Sequence, residues 1–247
     1  VVSALVGIAI QEGHIEGVEQ PLLDFFPDRT VAHRDTPTSV GARKDAITLE
    51  HVLTMSSGLL CRDSYLYRWQ GIQEMRQTGD WVQYMLDLPL AERPGTHFEY
   101  CNGGSFLLSA IVQETTGQTA LDYARERLFA PLGISDVAWP ANPQGISVGW
   151  GEIRMRPHDM CKIGYLWWIA EPDVYMALGY SGQYILVAPE LDMVVVFTSE
   201  LAERDFYLPQ QLFERYIRPA AKSPGPLPEN AEGVALLQSY VEDLARP

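Results

Sequence analysis

Tyr100-Cys101-Asn102 places a phenol and, two residues on, an amide at the start of a long apolar helical pattern. Acyl transfer by a serine needs a nucleophile, a base to take its proton, and donors for the oxyanion that develops. Tyr100 is a candidate for the base or its relay. An unperturbed phenol titrates near ~10, so it needs a nearby ammonium to favour the phenolate or to pass the proton along. Asn102 is suited to orient that ammonium and to hydrogen-bond a substrate amide or carbonyl. Taken alone, the pair is also read as a buried Tyr followed by an Asn N-cap.

Other reactive side chains form no constellation. Cys61, Cys101 and Cys161 lack metal-ligand spacing, and an odd count permits at most one disulfide. Cys101 sits inside the motif with nothing nearby in sequence to activate it. The five histidines, His14, His33, His51, His97 and His158, are scattered, so neither a metal site nor a cofactor is expected. His97 reads as a surface residue and His158-Asp159 as helix capping. Trp150, Trp167 and Trp168 are candidates to line an apolar substrate pocket, with core packing as the alternative.

The elements that must position these residues are legible in outline. Val1–Ile10 reads as the buried latter part of a helix stopped by Gly13. Thr48 caps a helix through Met55, with Ile47 and Val52 as a hydrophobic staple and Gly58 as the stop. Asp80-x-x-Gln83 is a capping-box match opening a helix over 81–88. The helix after Asn102 carries Phe106, Leu107, Ala110 and Ile111 on its apolar face and halts at Gly117. Thr119 caps the next, over 121–128. Val148–Gly151 looks strand-like, and Pro157 starts a short helix toward Leu166. Tyr184–Val187 and Met193–Thr198 flank a Pro-bearing turn and predict an antiparallel hairpin. Amphipathic patterns return at 205–221 and 231–245. The helix ending at Leu166 runs into Trp167 without turn residues, as if a loop were missing there.

At 247 residues and 47% hydrophobic, the chain can bury a full core. Its 18 basic and 32 acidic residues give a net charge of −14, a field that repels phosphate backbones and argues against nucleic acid as a partner. No membrane span is expected. Compartment and oligomeric state are not readable from the residues.

Several stretches together resemble the serine β-lactamase-like and penicillin-binding-protein-like hydrolases. Ile47–Leu59 is similar to the family's Ile-Thr-x-x-His-Leu-Leu-Thr helix, and Tyr100-Cys101-Asn102 to its Tyr-x-Asn. Pro94–Gly117, Leu128–Ile134 and Gly149-Trp150-Gly151 with Arg156-Pro157-x-Asp159-Met160 follow in the family's order. Gly179-Tyr180-Ser181-Gly182-Gln183 resembles its third catalytic strand. The likeness is greatest to the class C type, and the form of this last motif leans toward the esterase and 6-aminohexanoate-dimer hydrolase branch.

The resemblance implies an α/β (α+β) fold: one β-lactamase/transpeptidase-like domain over 1–247, an antiparallel sheet flanked by helices, with a helical lobe at about 48–138 and a sheet lobe over 1–47 and 139–247. Its first sheet strands are absent from these residues. It implies Tyr100 and Asn102 as catalytic, with Tyr180 N–H as oxyanion donor. Gly179, Ser181, Gly182 and Trp150 would line the substrate site. Either Ala177-Leu178-Gly179 or Tyr180-Ser181-Gly182 occupies the place of the family's Lys-Thr-Gly, and neither carries a lysine. The family's Ser-x-x-Lys is not found in the chain; by the match it is expected just ahead of Val1. The implied activity is hydrolysis of a small-molecule ester or amide through an acyl-enzyme. The alternative is a non-catalytic relative that binds acyl or peptide ligands.

Overall fold

A computed structural model describes residues 1–32, 34, 39–63, 69–160, 168–171, 174–221 and 230–244. They gather into two compact units, Val1–Leu166 and Trp167–Pro247. The Leu166/Trp167 junction itself lies outside the described residues.

In the first unit, α1 (Val2–Gln11) buries Val2, Leu5, Val6 and Ala9, one helical face, and Gly13 beyond it takes a left-handed φ of 77°. Helix α2 (Leu49–Leu53) is capped by Thr48, whose hydroxyl accepts from His51 N–H while His51 Nδ1 returns to the Thr48 N–H. This helix is shorter than the sequence suggests. It ends at Thr54 because Met55 itself adopts a left-handed φ of 54°, and Gly58 serves a different need. A Cβ on Gly58 would collide with the Glu92 carbonyl.

Helices α3 (Gln70–Arg76) and α4 (Trp81–Asp87) follow. Asp80 caps α4 through Gln83 N–H at 3.0 Å, but the reciprocal half of the box is missing. The Gln83 side chain instead donates to the Thr30 carbonyl and the Asp87 carboxylate. Helix α5 (Asn102–Thr116) forms the centre of the unit, with Phe106, Leu107, Ala110, Ile111 and Val112 at zero exposure. It is buried on nearly every side, packed against α1, α2, α4 and α6 (Ala120–Ala124). Burial of Phe106, Leu107, Ile111 and Val112 contributes about 1.5–3 kcal/mol each. Gly117 closes α5 at φ 72°. Thr119 caps α6, which is shorter than predicted and continues as a wider π turn over Arg125–Phe129. Strand β1 (Val137–Ala138) pairs antiparallel with β2 (Arg154–Met155). Val148–Gly151, read as a strand, is a loop and turn, and Pro157 opens α7 (Pro157–Met160).

The second unit is an antiparallel meander of β3 (Trp168–Glu171), β4 (Val174–Gly179), β5 (Gln183–Ala188) and β6 (Met193–Phe197), in that order. The expected hairpin is β5–β6, with Tyr184 opposite Phe197 and Asp192 left-handed in its turn. Period-two alternation buries Tyr184, Leu186 and Ala188 on one face of β5. Val174 and Met176 of β4 join them, with Phe213 supplied by the helical stretch from α8 (Leu208–Leu212) through a π turn to α9 (Arg218–Ala220). The described part ends with α10 (Ala231–Leu244). Among the described residues no helix is long and apolar enough to cross a membrane.

Candidate active site

The loop leading into α5 is positioned by α2. His51, already fixed by Thr48, lies against Gly95, where a Cβ would come within 2.8 Å of His51 Nε2. Gly95 N–H donates to the Ser56 carbonyl at 2.8 Å, and Glu99 N–H to the Met55 carbonyl at 2.9 Å. The Ile47–Leu59 stretch thus delivers the chain to Tyr100 through backbone hydrogen bonds.

At the mouth of α5, Cys101 rather than Asn102 is the N-cap, its Sγ accepting from Gly104 N–H at 3.1 Å. Cys101 is bonded to Cys61, so it is no free thiol. Asn102 is the first helical residue and is buried. Its backbone N–H donates to Asp63 Oδ2 at 2.9 Å, with Gly103 N–H at 3.4 Å on the same oxygen. Asp63 Oδ1 accepts from Ile72 N–H in α3 at 2.9 Å. Burial pushes the Asp63 carboxyl above its usual range, and these N–H donors and the Asn102 side chain pull against it.

Tyr100 is half-buried, with the Trp69 ring edge-on at 6.3 Å. Burial raises its pKa, and the Asp63 charge raises it further. Both influences favour the neutral phenol, so Tyr100 in this setting holds a proton rather than a negative charge.

Trp150 belongs to the same unit. Its ring stacks on Trp81 at 5.9 Å, tilts against Phe106 at 6.3 Å, and carries the Arg76 guanidinium 5.4 Å from its centroid. Arg76 also pairs with Glu152. Gly149 lies against the Ser105 carbonyl with no room for a Cβ, which brings this loop down onto the first turns of α5. Trp167 lies outside the described residues, and Trp168 is described only as a strand position. His97 is exposed. Buried Asp159 pairs at 2.8 Å with Arg156, whose side chain is largely exposed.

Gly179, Tyr180, Ser181 and Gly182 belong to the second unit. Ala177-Leu178-Gly179 lies within β4, and Gly179 pairs with Gln183; Tyr180–Gly182 is the turn joining β4 to β5. Among the described residues β3 pairs with β4 only as far as Met176, which leaves that side of Ala177–Gly179 without a strand partner. Ser181 and Gly182 are both left-handed, at φ 58° and 82°. The turn is held by Ser199, whose hydroxyl donates to the Gly182 carbonyl at 2.6 Å and lies 3.2 Å from that of Ser181. Leu201 N–H donates to the Ser181 carbonyl at 2.9 Å.

Asp63, Trp69 and Ser199 escape a reading of spacing, because each acts on residues far along the chain. Among the described residues no cluster of His, Cys, Asp or Glu could hold a metal ion.

Comparison with known proteins supplies a family for this geometry. The family described as Beta-lactamase matches residues 1–161. A D-aminopeptidase of Brucella anthropi is 44% identical over 41 residues, 17% of this chain and 8% of that protein's length. The chain therefore spans a small part of the curated relatives it matches. Among solved structures, a putative 6-aminohexanoate-dimer hydrolase from Bacillus anthracis superposes with a TM-score of 0.71 at 15% identity, covering 91% of this chain and 71% of that one. A beta-lactamase/D-alanine carboxypeptidase from Yersinia pestis gives 0.59 at 15% identity, over 82% and 75%. These likenesses establish the β-lactamase/transpeptidase-like fold.

Proposed function

Since the chain belongs to the beta-lactamase family, we propose that it is part of a serine hydrolase that opens an ester or amide bond through an acyl-enzyme. The observation that carries this reading is the Tyr100–Asn102 pair at the mouth of the buried helix α5, with its phenol kept neutral.

The nucleophile is a serine of a Ser-x-x-Lys motif ahead of Val1. Its hydroxyl oxygen attacks the carbonyl carbon, and its proton passes to the neutral amine of that lysine, which becomes an ammonium. Tyr180 N–H helps to hold the oxyanion. Collapse of the tetrahedral intermediate breaks the bond to the leaving alcohol or amine, which takes its proton from Tyr100. Water then adds to the acyl-serine and releases the acid. A phenol kept neutral by burial and by Asp63 suits the donor half of this cycle; the lysine ammonium formed in the attack returns a proton to Tyr100 once it has protonated the leaving group. Asn102 orients that ammonium and the substrate carbonyl. The family resemblance assigns Gly179, Ser181, Gly182 and Trp150 to substrate binding. The relatives named for D-aminopeptidase and 6-aminohexanoate-dimer activity point to amides, and the missing Lys-Thr-Gly lysine makes a β-lactam carboxylate a poor fit.

The test is intact mass of the full-length protein before and after a fluorophosphonate. One adduct, mapped to a serine of a Ser-x-x-Lys motif, is expected and should be lost when that serine is changed to alanine. An unmodified mass sinks the hydrolase reading.

A further inference from the structure

Asp63 is 2% exposed and neither gives nor takes a proton in the steps above. A buried carboxylate survives as an anion only when hydrogen-bonded. Its partners here are backbone N–H groups of two helices: the third residue of α3 (Ile72) and the first two of α5 (Asn102 and Gly103). Helix N-termini present unsatisfied N–H groups and partial positive charge, so one carboxylate closes two such ends at once. The approach is close by construction, since Gly71 lies against the Cys61 carbonyl and the Asp63 carboxylate with no space for a Cβ.

We infer that Asp63 is a positioning residue for the proposed hydrolysis, fixing the direction in which α5 presents Asn102 and holding a negative charge beside the Tyr100 phenol. The inference rests on the proposed role of the Tyr100–Asn102 pair. An anion at that place opposes the phenolate and favours a phenol that gives up its proton only to a strong acceptor such as the leaving group. Among the described residues the charged and titratable groups around Asp63 are few. They are Arg62 beside it, Glu99 and Tyr100 in the loop before α5, Glu74 in α3, and Tyr84 in α4, which donates to Glu74 at 3.0 Å. Among them Arg62 is the one cation.

The test follows the Tyr100 phenol directly. In full-length protein carrying tyrosine labelled at Cζ, carbon resonances are recorded across pH, with Tyr100→Phe assigning the signal. In Asp63→Asn, Tyr100 is expected to titrate at lower pH than in the wild type. The alkaline limb of the pH–rate profile should move the same way, with kcat down about tenfold or more and KM little changed. An Asn offers one acceptor oxygen, so α3 or α5 loses its partner, and a thermal melt checks that the variant folds. Should it not fold, the wild type serves: the Tyr100 resonance must shift as Asp63 protonates on acidification. An unchanged Tyr100 midpoint in folded Asp63→Asn, or a Tyr100 signal that ignores the Asp63 titration, overturns the assignment. The resonance readouts need no turnover. A protein that forms no acyl-enzyme removes the proposed function while leaving the Asp63–Tyr100 coupling intact.

Discussion

Cys61 and Cys101 are joined with their Cα atoms 5.6 Å apart, so the residue between Tyr100 and Asn102 is fastened to a segment 40 positions earlier. Closing a loop of that length removes conformational freedom from the unfolded chain, worth about 2–4 kcal/mol. Cys61→Ser with Cys101→Ser is expected to lower stability by about that amount in a denaturant titration. The same change should reduce turnover more than substrate binding, because it loosens the mouth of α5 beside Asp63. A variant with wild-type stability and kcat shows that the bridge contributes nothing to the site.

The pairing of these cysteines shows where sequence reasoning stopped. Three cysteines allow three pairings, and only the fold selects one. What was legible rested on local period and punctuation: the apolar face of α5, Gly117 as its stop, Thr48 as the cap of α2, and the β5–β6 hairpin. The joint order of motifs also identified the family, which the match over 1–161 establishes. Local rules failed where a distant partner decided the conformation. Met55 turned left-handed and ended α2 early, where Ser56 is engaged with Gly95. Gln83 left its capping box for Thr30 and Asp87. Asp63 sits too far before α3 and α5 for its spacing to read as a cap, so only tertiary structure reveals it.

Gly149→Ala is a sharp test of how the Trp150 loop seats on α5. The new methyl would collide with the Ser105 carbonyl, a backbone group that cannot swing aside. Overpacking of this kind costs about 1–3 kcal/mol, and the loop is expected to lift with Trp150. Gly17→Ala, whose Cβ would meet nothing within 4 Å, should stay within about 0.5 kcal/mol of wild type. Thermal melts and tryptophan fluorescence check both. Equal melting temperatures for the two variants contradict the close approach.

Tyr123 donates to Glu12 Oε2 at 2.9 Å, and burial together with that carboxylate pushes the phenol up to about 12. A phenol unfolded in water titrates near ~10, so between these values the folded chain binds the proton that the unfolded chain has lost. The stabilisation is complete below pH ~10 and is lost as pH rises through the folded value. Tyr123→Phe should flatten that part of the alkaline decline. Tyr84, also raised to about 12, retains its own share in the variant. Melting temperature recorded from pH 9 to 12 for the two proteins decides it, and parallel curves refute the linkage.

Ser199 offers the last separation, between a turn that merely joins strands and one that aims a donor. Its hydroxyl donates to the Gly182 carbonyl at 2.6 Å, and Gly182 is so close that an added Cβ would sit 2.7 Å from the same oxygen. Ser199→Ala removes the donor while sparing the ladder of β4 and β5, so the stability loss should be about 0.5–1.5 kcal/mol. If Tyr180 N–H holds the oxyanion, a loosened turn stabilises the transition state less than the bound ester. The expected result is then a fall in kcat at nearly constant KM, read with a chromogenic ester. A folded Ser199→Ala protein whose kcat is unchanged removes the Tyr180–Gly182 turn from the oxyanion role, leaving the Tyr100–Asn102 assignment to stand on the first unit alone.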